Sequence, residues 1–414
     1  MKKYMEKSTP LSVVLLLLVA IFAGTLFQSC DDDDKNVGDP EIHYIRITNP
    51  EKSDSLVVRA FLGNNIAIIG NNLQDVVQVW FNDQSAKLNV NFITSSAIIV
   101  TIPNKIPDVV TNEIRLVTRS GFVYSYDFKV DVPAPLLSSM VCEYVADGEV
   151  AVLKGNFFID DENVPLQVFF PGNIPGEVLS VSVDEVHVRV PEGAGVGPVT
   201  MRTIYGASRS SFMFRDDRNI FLDFDYLLGA GWRPGNRRNN NPDPISGNFL
   251  VLDGTIGNWD WVEDNLAMNL WGASSDRPPI PLFPLGGNKL EDMVLKFEVN
   301  VINPWSVGYM QLIFTPYATA NNNGYYSDAT LGRALWRPWE QAGKPFMTDG
   351  WITVTIPMSE FRYSHNAEKN DLELSYPDAF GGFTIFVWGP ALEGDGAARE
   401  SLLFAIDNIR VVPK

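Results

Sequence analysis

The sequence predicts an all-β protein in which two small sandwiches precede a larger two-sheet domain. Three observations carry that prediction. Short β-branched runs alternate with polar residues, as Val186, Val188 and Val190 do with His187 and Arg189, and Gly, Asn and Pro punctuate them. The stretch from Glu41 to Asp217 repeats itself, and nothing in the 414 residues reads as a long amphipathic helix.

Taken in order, Met1 to Ser29 opens with Lys2, Lys3 and Lys7, continues with the apolar run Leu11 to Phe22, and ends just before Cys30. A charged start, a short apolar core and small residues near the end describe a secretory signal over residues 1–29. The run is too short and wrongly flanked for a lasting membrane span. Cys30 resembles the lipid-attachment cysteine of bacterial lipoproteins, although Phe27-Gln28-Ser29 departs from the usual small-residue pattern. The following Asp31 to Asp34 resembles the acidic export signal of Bacteroidetes surface lipoproteins. A lipidated acidic linker over 30–40 is therefore expected, and an ordinary solvated linker is the alternative.

The repeat is read from matched residues. Gly63-Asn-Asn-Ile-Ala-Ile-Ile-Gly70 parallels Gly148-Glu-Val-Ala-Val-Leu-Lys-Gly155, and Ala97 to Pro103 parallels Glu185 to Pro191. Gly70 and Gly155, Pro103 and Pro191, and Gly121 and Gly206 stand 85, 88 and 85 residues apart. Units this small and built only of short strands imply immunoglobulin-like sandwiches, here 41–132 and 133–217. Their Gly-Asn-Asn-Leu and strand-Pro pattern resembles the IPT/TIG family, which implies spacers or docking modules. Pro133 and Pro135 should stiffen the junction. Trp80 sits in a strand pattern typical of a core, and His187 should face solvent.

Residues 218–414 hold nine of the ten tryptophans. Leu295, Phe297, Val299 and Val301 alternate with Lys296, Glu298 and Asn300, so a jelly-roll-like sandwich is expected. The segments Phe221 to Asp225 and Leu403 to Val411 read as neighbouring terminal strands. The connection from Thr315 to Gly350 is far longer than the usual loop of a compact domain and carries aromatics, asparagines and Arg333. Rings that accept an apolar sugar face, rimmed by directed hydrogen-bonding groups, suit a hydroxyl-rich ligand. Trp305 and Trp336 are expected to form the main platform, extended by Tyr325, Tyr326, Trp259 and Trp261, with Arg333 at its edge and Asn321 to Asn323 nearby.

With the lipoprotein signal and the tandem units, Trp336-Arg-Pro-Trp339, Asp349 to Pro357 and Asp407 to Val411 resemble the C-terminal domain of Bacteroidetes surface glycan-binding proteins, the group that includes xyloglucan binders. The resemblance implies an outer-membrane lipoprotein that binds a polysaccharide or oligosaccharide of β-glucan, xyloglucan or mannan type for uptake. It also implies an outer-membrane glycan transporter complex as partner.

The net charge of −18 opposes binding to nucleic acid. Two cysteines and three scattered histidines supply no zinc-type ligand set, so no cofactor is expected, and Cys142 should be a small buried side chain. Asp223, Asp225 and Asp407 could hold a structural Ca²⁺ or be hydrogen-bonded strand-end acids. Asp260, Glu263, Asp264, Asp328 and Glu340 are available for glycoside hydrolysis, yet no spacing marks a pair, and no enzyme is expected. A structural adhesin or assembly protein is the other reading. Replacing Cys30 by Ala should release the protein from the membrane fraction, which fractionation and immunoblotting would check.

Overall fold

The structure, a computed structural model, describes residues 38–49, 51, 55–228, 235–256, 289–315, 328–369, 374, 382–388 and 400–414, and the backbone of 267–271. The signal segment, Cys30 and the acidic run lie outside the described residues. The chain divides into two units, one ending at Pro133 and one running from Ala134 to Lys414.

In the first unit a three-stranded sheet runs Glu41–Ile47, Asn65–Asn71, Ala97–Thr101, and a four-stranded sheet runs Gln84–Ser85, Val76–Phe81, Glu113–Thr118, Val123–Asp127. Ile66, Ile68, Ile98, Val79, Phe81, Ile114 and Leu116 are fully buried. Trp80 corrects the core expectation. Its neighbours Val79 and Phe81 point inward, so alternation turns Trp80 to the other face, where it is half-buried under Arg115 at 5.7 Å and donates from Nε1 to Gln78 Oε1.

The second unit opens with the same plan. Leu136–Met140, Val150–Asn156, Glu185–Arg189 and Glu177–Val181 form one sheet, and Ile174–Pro175, Gln167–Phe170, Thr200–Thr203 and Gly206–Arg209 form the other. Val186, Val188 and Val190 are buried, whereas the half-buried His187 lies 2.6 Å from Glu185 Oε1. Cys142 is a buried free thiol.

The matched glycines of the two copies do the same work. Gly70 pairs with Ile42 and Gly155 with Leu137, and each first strand then slips register, between Ile42 and Tyr44 and between Leu137 and Ser139. A Cβ on Gly70 would run into the Glu41 carbonyl oxygen, and one on Gly155 into that of Leu136. Only glycine permits the approach.

Beyond residue 217 the second unit continues as two facing sheets. The six-stranded sheet runs Asn236–Arg238, Phe249–Ile256, Glu400–Pro413, Met293–Val301, Ile352–Pro357, and Ile220–Leu222 also pairs with Glu400–Pro413. That pairing sets Ile220 opposite Arg410 and Leu222 opposite Ile409, as the terminal-strand reading requires. The four-stranded sheet runs Ala267–Trp271, Gly382–Trp388, Tyr309–Thr315, Arg333–Trp336. Between them lies one core, filled by Leu295, Phe297 and Val299 from one side and Met310, Leu312, Phe314, Phe383 and Ile385 from the other.

The polar side of Met293–Val301 is buried too. Glu143, from the first part of this unit, receives Lys296 Nζ at 2.5 Å and Arg410 at 2.8 Å. Arg410 also donates to both oxygens of Glu298, at 2.7 and 3.0 Å, and Thr353 Oγ1 donates to Glu298 at 2.9 Å. Burial opposes the Arg410 charge, but Glu298 and Glu143 outweigh it and raise its pKa further. Opposite Glu298 stands Asp407, which accepts from the Asn408 amide at 2.8 Å and from Ser246 Oγ at 3.3 Å.

Burial, with Glu298 and Asp225 adding to it against those hydrogen bonds, pushes the Asp407 carboxyl from its ordinary 3.8 up to about 8. The folded state thus holds a proton that the unfolded chain has released, and this contribution to stability is lost as pH rises through about 8. The melting temperature should therefore fall by several degrees between about pH 5 and pH 9, and Asp407→Asn should flatten that slope. Calorimetric scans across the range, with parallel slopes for the two proteins as the contrary result, check it.

Candidate functional site

The four-stranded sheet has a second face. Along Tyr309–Thr315, Met310, Leu312 and Phe314 enter the core, so Tyr309, Gln311, Ile313 and Thr315 point away from it. Pairing carries this division across the sheet: Ile313 lies opposite Thr384 and Arg333, Gln311 opposite Phe386, and Tyr309 opposite Trp388. Register also sets Asn269 opposite Thr384 and Trp271 opposite Gly382.

A second core would not be built this way. Gln311, Thr384 and Arg333 are all closed off from solvent, and a buried polar group is costly unless it is hydrogen-bonded. Arg333 donates to Gln311 Oε1 at 2.8 Å and to the Asp328 carbonyl at 3.2 Å. Tyr309 meets Trp388 edge-on, with ring centres 5.9 Å apart, and Trp388 is half-buried. Fixed rings beside directed hydrogen-bonding groups are the kind of surface that suits a hydroxylated ligand.

The residues singled out from sequence fall in three places. Trp305 is a core residue and does not form a platform: it is fully buried, 4.9 Å from the Phe404 ring, and its Nε1 donates to the Val307 carbonyl at 2.5 Å. The preceding strand ends at Val301, but the chain pairs again at Trp305. Trp305 and Phe346 exchange backbone hydrogen bonds of 2.9 and 2.7 Å, which turns the indole inward.

Trp336 differs from Trp305 in being only half-buried. The long connection contains the strand Arg333–Trp336 and the short helix Pro338–Ala342, and register sets Trp336 opposite the core residue Met310. Its half-buried ring packs on Phe297 at 5.8 Å and Trp305 at 5.5 Å. What remains open borders a groove of about 330 Å³ with Arg337, Glu340, Glu360 and Tyr363. There Arg337 is paired with Glu340 at 2.9 Å and lies over the Tyr363 ring.

Arg333, expected at a rim, is instead fully buried in the floor of the polar face, because alternation along its strand opposes it to Ala334. Trp259, Trp261, Tyr325, Tyr326 and Asn321 to Asn323 lie outside the described residues. Trp351 is held in place by its Nε1 bond to the Asp243 carbonyl at 2.8 Å and by Phe249, as its strand position suggests.

Tyr309, Gln311 and Thr384 went unnoticed in the sequence. The signal was present: Tyr309, Gln311 and Thr315 alternate with Met310, Leu312 and Phe314, a half-polar strand inside an apolar run. The acids considered for calcium are otherwise employed. Asp223 Oδ1 accepts the amides of Asp225, Tyr226 and Leu227 at 3.1, 2.9 and 2.6 Å, and Asp225 Oδ1 accepts that of Asn248 at 2.8 Å. Among the described residues no cluster of His, Cys, Asp or Glu is arranged for a metal.

Small tandem sandwiches ahead of a larger one with a polar, aromatic-bordered face make a modular binding protein. Residues 214–413 match the xyloglucan binding domain of surface glycan-binding protein B, and residues 54–130 match the IPT/TIG domain. Just under half of the chain therefore carries the xyloglucan binding domain of surface glycan-binding protein B, preceded by an IPT/TIG domain. It is similar to the crystal structure of surface glycan-binding protein PbSGBP-B from Prevotella bryantii, with 27% identity, a TM-score of 0.68, and coverage of 91% of this chain and 99% of that one. An IPT/TIG domain-containing protein of Bacteroides ovatus is 35% identical over 163 residues, which are 38% of this chain. The matched part spans about a third of that relative, 32% of its length.

Because Trp305 fills the core, Trp305→Ala should cost about 3 to 5 kcal/mol of stability while the folded fraction keeps its ligand affinity. Denaturant titration paired with binding calorimetry would show it.

Proposed function

We propose that this protein is a cell-surface lipoprotein that captures a neutral polysaccharide of the β-glucan, xyloglucan or mannan type for uptake. The observation that carries the reading is the match of residues 214–413 to a xyloglucan-binding domain. In this reading residues 1–29 are removed, Cys30 is lipidated at the head of the 30–40 linker, and the IPT/TIG-like units 41–132 and 133–217 carry a jelly-roll-like binding domain over 218–414. The bound glycan is passed to an outer-membrane transporter complex.

The ligand lies on the non-core face of the four-stranded sheet. Trp259 and Trp261 stand in the segment that leads into Ala267–Trp271, and Tyr325 and Tyr326 in the one that joins Tyr309–Thr315 to Arg333–Trp336. Tyr325 and Tyr326 thus lie between two strands of this sheet, and Trp259 and Trp261 between Phe249–Ile256 of the six-stranded sheet and Ala267–Trp271 of this one. A stack of rings above Gln311, Thr384 and Arg333 would meet the axial C–H face of a pyranose and leave its hydroxyls to the polar groups. The excess negative charge suits a ligand without anionic groups.

Calorimetry of the soluble protein from residue 38 onward, titrated with xyloglucan, mixed-linkage β-glucan and galactomannan oligosaccharides, tests the proposal. Micromolar binding of at least one of them is expected, with no reducing ends released on prolonged incubation. Failure to bind any of the three, or product formation that one Asp or Glu substitution abolishes, would overturn it.

A further inference from the structure

Tyr309 stands out because its ring is well placed and its hydroxyl is not used. The residue is buried at 3% exposure, and its Oη finds no hydrogen-bond partner among the described residues. An unmet buried hydroxyl weakens a fold, and phenylalanine would fill the same space without that cost.

Nor can the phenol turn away to find a partner. Its ring is set edge-on to Trp388 at 5.9 Å. The residue before it, Gly308, has φ +74°, and a Cβ there would come within 2.6 Å of the Trp388 carbonyl oxygen. Trp339 Nε1 donates to the Gly308 carbonyl at 2.9 Å, which fixes the strand entry from a third direction. The hydroxyl is thus held on the polar face, in line with Gln311, at the end of the sheet where half-buried Trp388 meets solvent.

We infer that Tyr309 is a ligand-binding residue whose hydroxyl exchanges a hydrogen bond with a hydroxyl of the bound sugar. The inference rests on the reading of this face as the glycan site, and it assigns the polarity of one contact within it. Burial pushes the phenol up to about 12, against the pull of Arg333 and Arg337, so it stays neutral at physiological pH and both donates and accepts. A sugar hydroxyl does the same. An anionic ligand would instead seek the guanidinium groups.

The test compares the wild-type protein with Tyr309→Phe, using the oligosaccharide that binds wild type best and its singly deoxygenated analogues. Tyr309→Phe should weaken binding about three- to tenfold while leaving the melting temperature unchanged or higher. One deoxy analogue should lose the same factor against wild type and nothing further against Tyr309→Phe. Undiminished affinity in Tyr309→Phe would overturn the inference, and so would a loss that every analogue repeats in both proteins. If wild type binds no glycan, the functional reading itself falls and this contact with it; if wild type binds and the variant binds equally, only the contact falls.

Discussion

Arg410 is held between two carboxylates that come from different parts of the fold, Glu298 on the neighbouring strand and Glu143 on the small sandwich before it. Buried ion pairs contribute little net stability, because desolvation offsets most of the attraction, but removing one partner strands the other at a cost of about 3 to 5 kcal/mol. Their value here is in register. Lys296, Glu298 and Arg410 must all lie on one side of the six-stranded sheet, and alternation then commits Leu295, Phe297, Ile409 and Val411 to the other.

From that constraint the layers follow in sequence. Glu143 of the preceding sandwich joins one face of the six-stranded sheet at Lys296 and Arg410, and the apolar core lies on its other face. The four-stranded sheet closes the core with Met310, Leu312, Phe314 and Phe383. On its other face the chain buries Gln311, Thr384, Arg333 and Tyr309, polar groups that an apolar packing layer would not use.

Much of this was legible in the sequence. The glycine and proline offsets between Gly70 and Gly155 and between Pro103 and Pro191 mark the duplication, and the alternation from Leu295 to Val301 marks the core face. The tryptophans were not legible in the same way. An indole after Asn303-Pro304 looks free of any strand, yet the bridge from Trp305 to Phe346 spans about 40 residues and leaves no local trace. The packing of Trp336 was hidden for a related reason. Four residues of strand inside a long connection offer too short a pattern to reveal which way each side chain turns. Hydroxyl and amide residues in a strand, such as Tyr309 and Gln311, mark the polar face of the four-stranded sheet more plainly.

A crystal structure of residues 38–414 with a bound xylogluco-oligosaccharide would bear most directly on where the ligand sits. The sugar should lie over the non-core face of the four-stranded sheet, with a hydroxyl within hydrogen-bond distance of Tyr309 and a ring against Trp388 or one of Trp259, Trp261, Tyr325 and Tyr326. Density instead in the groove beside Trp336 and Tyr363, or on the small sandwiches, would contradict it.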